Sequence, residues 1–233
     1  MPFMALYVEE LGAPKNKVEW YAGLAVSLSA LASALIAPVW GRLADQYGRK
    51  PMMVRASLVM TFTMGGLAFV PNVFWLLTLR LLNGLFSGYI PNSTALIASQ
   101  APKNRSGYAL GTLATGMIGG SLIGPLLGGM LAEWLGIRQV FLLVGFILLI
   151  CNFLTVFLIK EDFKPVAKAN AMSTRELFLS IKDKQILIGL FVTSMIIQIS
   201  AQSIAPILTL YIRNLGQTEN LMFVSGLIVF LNF

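Results

Sequence analysis

The sequence predicts an all-α polytopic membrane protein, a bundle made of one six-helix half and the start of a second. Three observations predict it. Apolar residues make up 57% of the 233 positions and charged residues only 12%, against about 25% charged in an ordinary soluble domain. Long uncharged runs recur along the chain, and nearly all the charges fall in short connectors between them. That much apolar surface exceeds what one water-soluble core can hide, so lipid must cover part of it.

A helix needs roughly 20 mostly apolar residues to cross ~30 Å of hydrocarbon. The uncharged runs are Trp20–Trp40, Ala56–Leu79, Leu81–Pro102, Ser106–Ala132, Gln139–Ile159 and Gln185–Ile212. Pro71-Asn72 is a turn signal inside the second run. It predicts one helix over Pro51–Val70 and the next over Asn72–Ala101, with Arg55 near enough to its helix end to snorkel. Met1–Val8 and Asn220–Phe233 are partial spans.

Basic residues in short loops mark the cytoplasmic side. Twelve Lys and Arg fall in one set of loops and four in the other, which predicts that loops 41–55, 102–106 and 160–184 are cytoplasmic and the protein is a multi-pass component of the cell membrane. The net charge of +7 is therefore spent on orientation, and no basic face for nucleic acid is visible. The chain has no histidine and one cysteine, Cys151. This excludes imidazole metal sites, histidine-based catalysis and an intrachain disulfide. No nucleophile, base and acid set is visible, so an enzyme is not expected.

Met1–Gly12 (MPFMALYVEELG) and Ala205–Gly216 (APILTLYIRNLG) share Pro, Leu-Tyr and Leu-Gly at one constant offset. Each copy reads as the outer end of an odd-numbered helix, its outer loop and the next helix start, the pattern of two parallel halves. The expected organisation is 1–159, a first half with a truncated helix 1 and helices 2–6; 160–184, a central loop; and 185–233, helix 7 and a truncated helix 8. In the central loop, Ser173 and Glu176 form a capping box before Leu177, Phe178 and Ile181, the pattern of a short surface helix or of an early start to helix 7.

Three motifs point to mechanism. The connector Gly41–Met53 reads GRLADQYGRKPMM; Gly41 and Gly48 permit tight turning, and Asp45, Arg49 and Lys50 can form a charge cluster that makes and breaks at a gate. Arg80 lies about eight residues, or ~12 Å, into its span, where a charge must face the bundle interior; Gly84 and Gly88 follow as a small-residue face. In the next span Gly116, Gly120, Gly124 and Gly128 recur every four residues, with Pro125 favouring a kink and Gly129 extending the run.

These strings resemble the major facilitator superfamily. Gly41, Leu43, Ala44, Asp45, Gly48, Arg49 and Lys50 fit its helix 2–3 signature G-x-L-a-D-r-x-G-r-k-x-x-l, with Gln46 in place of a basic residue and Met53 in place of Leu. Arg80, Asn83 and Gly84 resemble its helix-4 motif R-x-x-q-G, associated with proton-coupled members. Gly120, Gly124, Pro125, Gly128 and Gly129 are similar to its antiporter motif g-x-x-x-G-P-x-x-G-G. The resemblance implies alternating access between two halves and a drug:proton antiporter, with protons and small amphipathic drug-like molecules as partners, a monomeric full-length protein and no cofactor beyond the proton gradient. It also implies about 12 spans in all, of which this chain is a fragment. Gln198, Gln202 and Asn92 are candidate substrate-lining groups, though polar pairing between helices explains them equally well. A nutrient importer and a non-transporting membrane scaffold remain the alternatives.

Overall fold

The structure is a computed structural model and describes residues 3–102, 104–163 and 184–203, together with Val224, Leu227 and Ile228. All regular structure among these residues is helical. The helices are α1 (Met4–Glu10), α2 (Val18–Tyr47), α3 (Arg49–Gly66), α4 (Val73–Leu85), α5 (Tyr89–Gln100), α6 (Ser106–Leu135), α7 (Ile137–Leu158) and α8 (Lys184–Ser203). Five segments are long and apolar enough to cross a membrane: Lys15–Tyr47, Arg49–Phe69, Val73–Gln100, Ser106–Leu135 and Ile137–Leu158. The expected surface helix around Ser173 and Glu176, the second copy of the repeat and most of the final span lie outside the described residues.

Local chemistry sets the boundaries. α2 outruns its apolar stretch because nothing in GRLADQY breaks a helix until Gly48, whose φ of +100° stops it. The Asn72 side chain caps α4 by accepting from the Trp75 N–H at 3.2 Å, as the Pro71-Asn72 signal predicts. The span expected over Asn72–Ala101 is not one helix. It breaks at Phe86-Ser87-Gly88 into α4 and α5, with Gly88 at φ +124°. α6 runs through Pro125 without ending.

α3 packs along α7, α2 along α4, and α3 also against α5; α6 touches α5 and α7. Two glycine contacts let backbones meet. A Cβ on Gly145 in α7 would stand 2.8 Å from the Gly65 Cα of α3. A Cβ on Gly84 in α4 would collide with the Ser29 carbonyl oxygen of α2. Without a hydrophobic drive between helices in lipid, such close approach is how spans hold one another. α1 is seated on the bundle: Met4, Tyr7 and Val8 are buried with Met64, Leu67 and Leu76, and the Tyr7 hydroxyl donates to the Leu67 carbonyl. Outward, Phe62, Phe74, Phe146 and Phe157 are exposed, a surface suited to lipid and not to water.

Candidate functional site

The site begins at the α2–α3 corner. Arg49 and Asp45 form an ion pair at 3.2 Å across Gly48, with Asp45 57% and Arg49 30% exposed. Lys50 does not join that pair: its ammonium donates to the Val156 carbonyl at 2.8 Å, satisfying a carbonyl in the last turn of α7. The expected three-residue cluster is therefore a pair plus a helix cap. Its other acid is Glu161, which accepts from the backbone N–H of Arg49 and of Lys50, each at 2.8 Å. Gly48 is required by its positive φ, and a Cβ there would stand 2.8 Å from Glu161 Oε2 and push that carboxylate aside. Gly41 is not a tight-approach glycine: it lies within α2, with no atom within 4 Å of a Cβ position among the described residues.

Within the bundle, Arg80 is 7% exposed on α4, the interior placement that its depth predicts. Gly84, one turn on, makes the crossing with Ser29 described above, so its role is packing. Asn83 donates to the Thr63 hydroxyl at 3.0 Å and ties α4 to α3.

The break between α4 and α5 is the feature hydropathy conceals. Breaking a helix at membrane depth frees carbonyls that lipid cannot satisfy. Each finds a donor. Leu85 O accepts from the Trp40 indole at 2.7 Å. The Arg55 guanidinium donates to Phe86 O at 3.4 Å and to Ser87 O at 3.2 Å. Gly88 O accepts from the Asn92 amide at 2.7 Å, and Gly84 O from the Ser87 hydroxyl at 2.8 Å. Ser33 and Ser87 share a hydrogen bond of 2.6 Å. Arg55 is thus turned inward and does not snorkel: its guanidinium carbon lies 3.2 Å from the Trp40 ring centroid, a cation–π contact that offsets part of its desolvation.

Beside the break lies a cavity of about 500 Å³. Polar groups reach it from Ser33, Ser57, Asn83 and Asn92, and apolar or aromatic ones from Trp40, Tyr89, Met60 and Leu148. Asn92 was expected to face a cargo together with Gln198 and Gln202. It does line this cavity, but its amide is engaged by Gly88 O. Gln198 on α8 is exposed and is not brought to it; of Gln202 only the backbone is described.

The repeated glycines of α6 do not make the close contact their spacing suggests. No atom lies within 4 Å of a Cβ position at Gly116, Gly120 or Gly124 among the described residues, and Gly128 alone meets a side chain, Phe3 at 3.7 Å. Most of this face of α6 is left open because α6 packs on α5 and α7 through its other sides. Its C-terminal end is different: Gly129 is buried, and Gly124 and Pro125 line an apolar pocket of about 250 Å³ with Phe3, Met4 and Phe141. Among the described residues no group of histidine, cysteine or carboxylates is placed to hold a metal.

The fold and the site define a polytopic helical membrane protein, with a glycine-pivoted charge pair at one end of the bundle and a buried arginine inside the Val73–Gln100 span. The chain belongs to the Major Facilitator Superfamily, whose family model matches residues 1–233. It is similar to the "Multi-drug resistance efflux pump PmrA" of Streptococcus pneumoniae serotype 4, 63% identical over 229 residues, covering 98% of this chain and 57% of the relative. The "Multi-drug resistance efflux pump PmrA homolog" of Lactococcus lactis subsp. lactis is also 63% identical, over 230 residues with the same coverage. The "Multidrug resistance protein MdtG" of Proteus mirabilis is 49% identical over 230 residues. The chain thus spans little more than half the length of these relatives, 57% in each case.

Proposed function

We propose that this chain is part of a proton-coupled multidrug efflux transporter of the cell membrane, its first half from a truncated helix 1 onward and the start of its second. The likeness to proteins named as efflux pumps favours export over nutrient import, and supports small amphipathic drug-like molecules as cargo. The single observation that carries the reading is the near-complete burial of Arg80 inside an apolar span. A charge at that depth costs ~2.5–3.5 kcal/mol on insertion scales, and its retention there points to function. In this reading Arg80 belongs to the coupling path, the Asp45–Arg49 pair makes and breaks as the cytoplasmic gate moves, and cargo occupies space between two halves near the midplane. Loops 41–55, 102–106 and 160–184 face the cytoplasm.

The test is energised efflux of a fluorescent dye from cells making the intact transporter of which this chain is a part. Arg80→Ala should abolish proton-driven efflux while the protein still reaches the membrane; efflux at the unsubstituted rate would refute the coupling role. The 233-residue product alone should give no energised efflux, because alternating access needs two walls.

A further inference from the structure

We propose that Glu161 is a positioning residue of the gate: its carboxylate latches the segment after α7 onto the start of α3, so that this segment and the gate pair move together. The proposal rests on the transport reading above for its functional consequence, and on the contacts alone for the latch.

The first N–H groups of a helix have no partner within it and carry its positive dipole end. At α3 those groups belong to Arg49 and Lys50, and the two oxygens of Glu161 take one each, at 2.8 Å. Such charge-assisted hydrogen bonds are about twice as strong as neutral ones. Gly48 admits the carboxylate, since any Cβ there would stand 2.8 Å from Oε2. Two further ties flank the latch. Lys50 Nζ holds the Val156 carbonyl at 2.8 Å. The Gln100 amide at the end of α5, with its nitrogen toward Lys160, donates to Lys160 O at 3.3 Å and accepts from the Asp162 N–H at 2.8 Å. The stretch 156–162 is therefore fixed to both α3 and α5.

The consequence lies in Arg49. Its backbone N–H is held by Glu161 and its guanidinium by Asp45. Glu161 thus sets the position of the residue that closes the gate pair, across 112 positions of sequence. Residue 163 leads from the latch into the central loop that the sequence places between the halves. Losing the carboxylate frees the backbone beneath the Asp45–Arg49 pair. Ala44, which is buried beside this cluster, is the natural reporter.

The experiment places one cysteine at Ala44 in a Cys151→Ser background and follows its reaction with a charged maleimide in vesicles opened to both sides. A second chain carries the cysteine at Ala25, buried in α2 away from the latch. Glu161→Gln should raise labelling at position 44 by about fivefold or more, the scale of a lost hydrogen bond, with Glu161→Asp intermediate and position 25 unchanged. Equal labelling at 44 with and without the carboxylate overturns the latch, and so does a matching rise at 25, which would mean general loosening. Asp45→Asn, which leaves the latch intact, should raise labelling at 44 less than Glu161→Gln does; the reverse order also overturns it. In cells making the intact transporter, Glu161→Gln should lower the maximal efflux rate with the half-saturating dye concentration within about twofold. Unchanged efflux beside raised labelling overturns the gate role. No efflux from the unsubstituted protein contradicts the transport reading, and the labelling then decides the latch by itself.

Discussion

Gly84→Ala isolates the crossing between α2 and α4. The added Cβ would overlap the Ser29 carbonyl oxygen and lie 3.0 Å from the Ala32 Cβ. The obstacle is backbone, so no side-chain rotation relieves it. Overpacking of this kind costs ~1–3 kcal/mol, and the helix preference of alanine over glycine returns ~1 kcal/mol. Taking the upper end for a backbone clash leaves a net loss of ~2 kcal/mol, or a melting temperature lower by roughly 4–8 °C for a chain of this size. Gly120→Ala is the matched control: among the described residues no atom lies within 4 Å of its Cβ position, so only the helix preference acts, with a rise of about 2–4 °C. Cys151 is the single cysteine and is half-buried, so a thiol-reactive fluorogenic dye reports its exposure as the purified chain is heated in detergent. Equal melting of Gly84→Ala and the parent, or a fall in Gly120→Ala as large as that in Gly84→Ala, would refute the packing account.

Three further outcomes follow from the same contacts. Arg55→Ala leaves Phe86 O and Ser87 O without their donor and should cost ~1–3 kcal/mol in the dye assay, more than Arg55→Lys, which keeps a cation over Trp40. Asn152 donates to Val54 O at 2.9 Å and to the Ser57 hydroxyl at 2.7 Å; Asn152→Ala should cost about 0.5–1.5 kcal/mol, the scale of interhelical hydrogen bonds in membranes, and a loss above ~3 kcal/mol would mean that more than these bonds is broken. Asp45→Asn removes a half-exposed ion pair worth at most ~1 kcal/mol, so melting should barely move while dye efflux by the intact transporter falls; a large drop in melting temperature would assign Asp45 to stability instead.

The spans were legible because length and charge spacing answer directly to bilayer thickness. The Asn72 cap and the Gly48 turn were legible because single residues impose them. The break between α4 and α5 was not, since Phe86-Ser87-Gly88 carries no charge and hydropathy runs straight through it. Its signal is Gly88 with Pro91 three residues on, two breakers inside one span. Arg55 looked like a loop-side cation because only the fold places Trp40 and two freed carbonyls beside it. Glu161 was missed because its partners lie more than 100 residues away, the separation to Arg49 being 112; the faint signal is an acidic pair, Glu161-Asp162, among basic connectors. The repeated glycines of α6 show the converse limit. Periodicity identifies a face without saying what covers it, whereas the isolated pair Gly65 and Gly145, with no pattern at all, makes one of the closest backbone contacts in the bundle.

Sidedness of the gate loop is the most direct test. Gln46 is exposed at the end of α2, and a cysteine there, in the Cys151→Ser background, can be offered an impermeant maleimide in intact cells and in inside-out vesicles. The account predicts protection in cells and rapid labelling in vesicles. Labelling from outside intact cells would contradict it, because the charge pair would then stand on the wrong side of the membrane for a cytoplasmic gate.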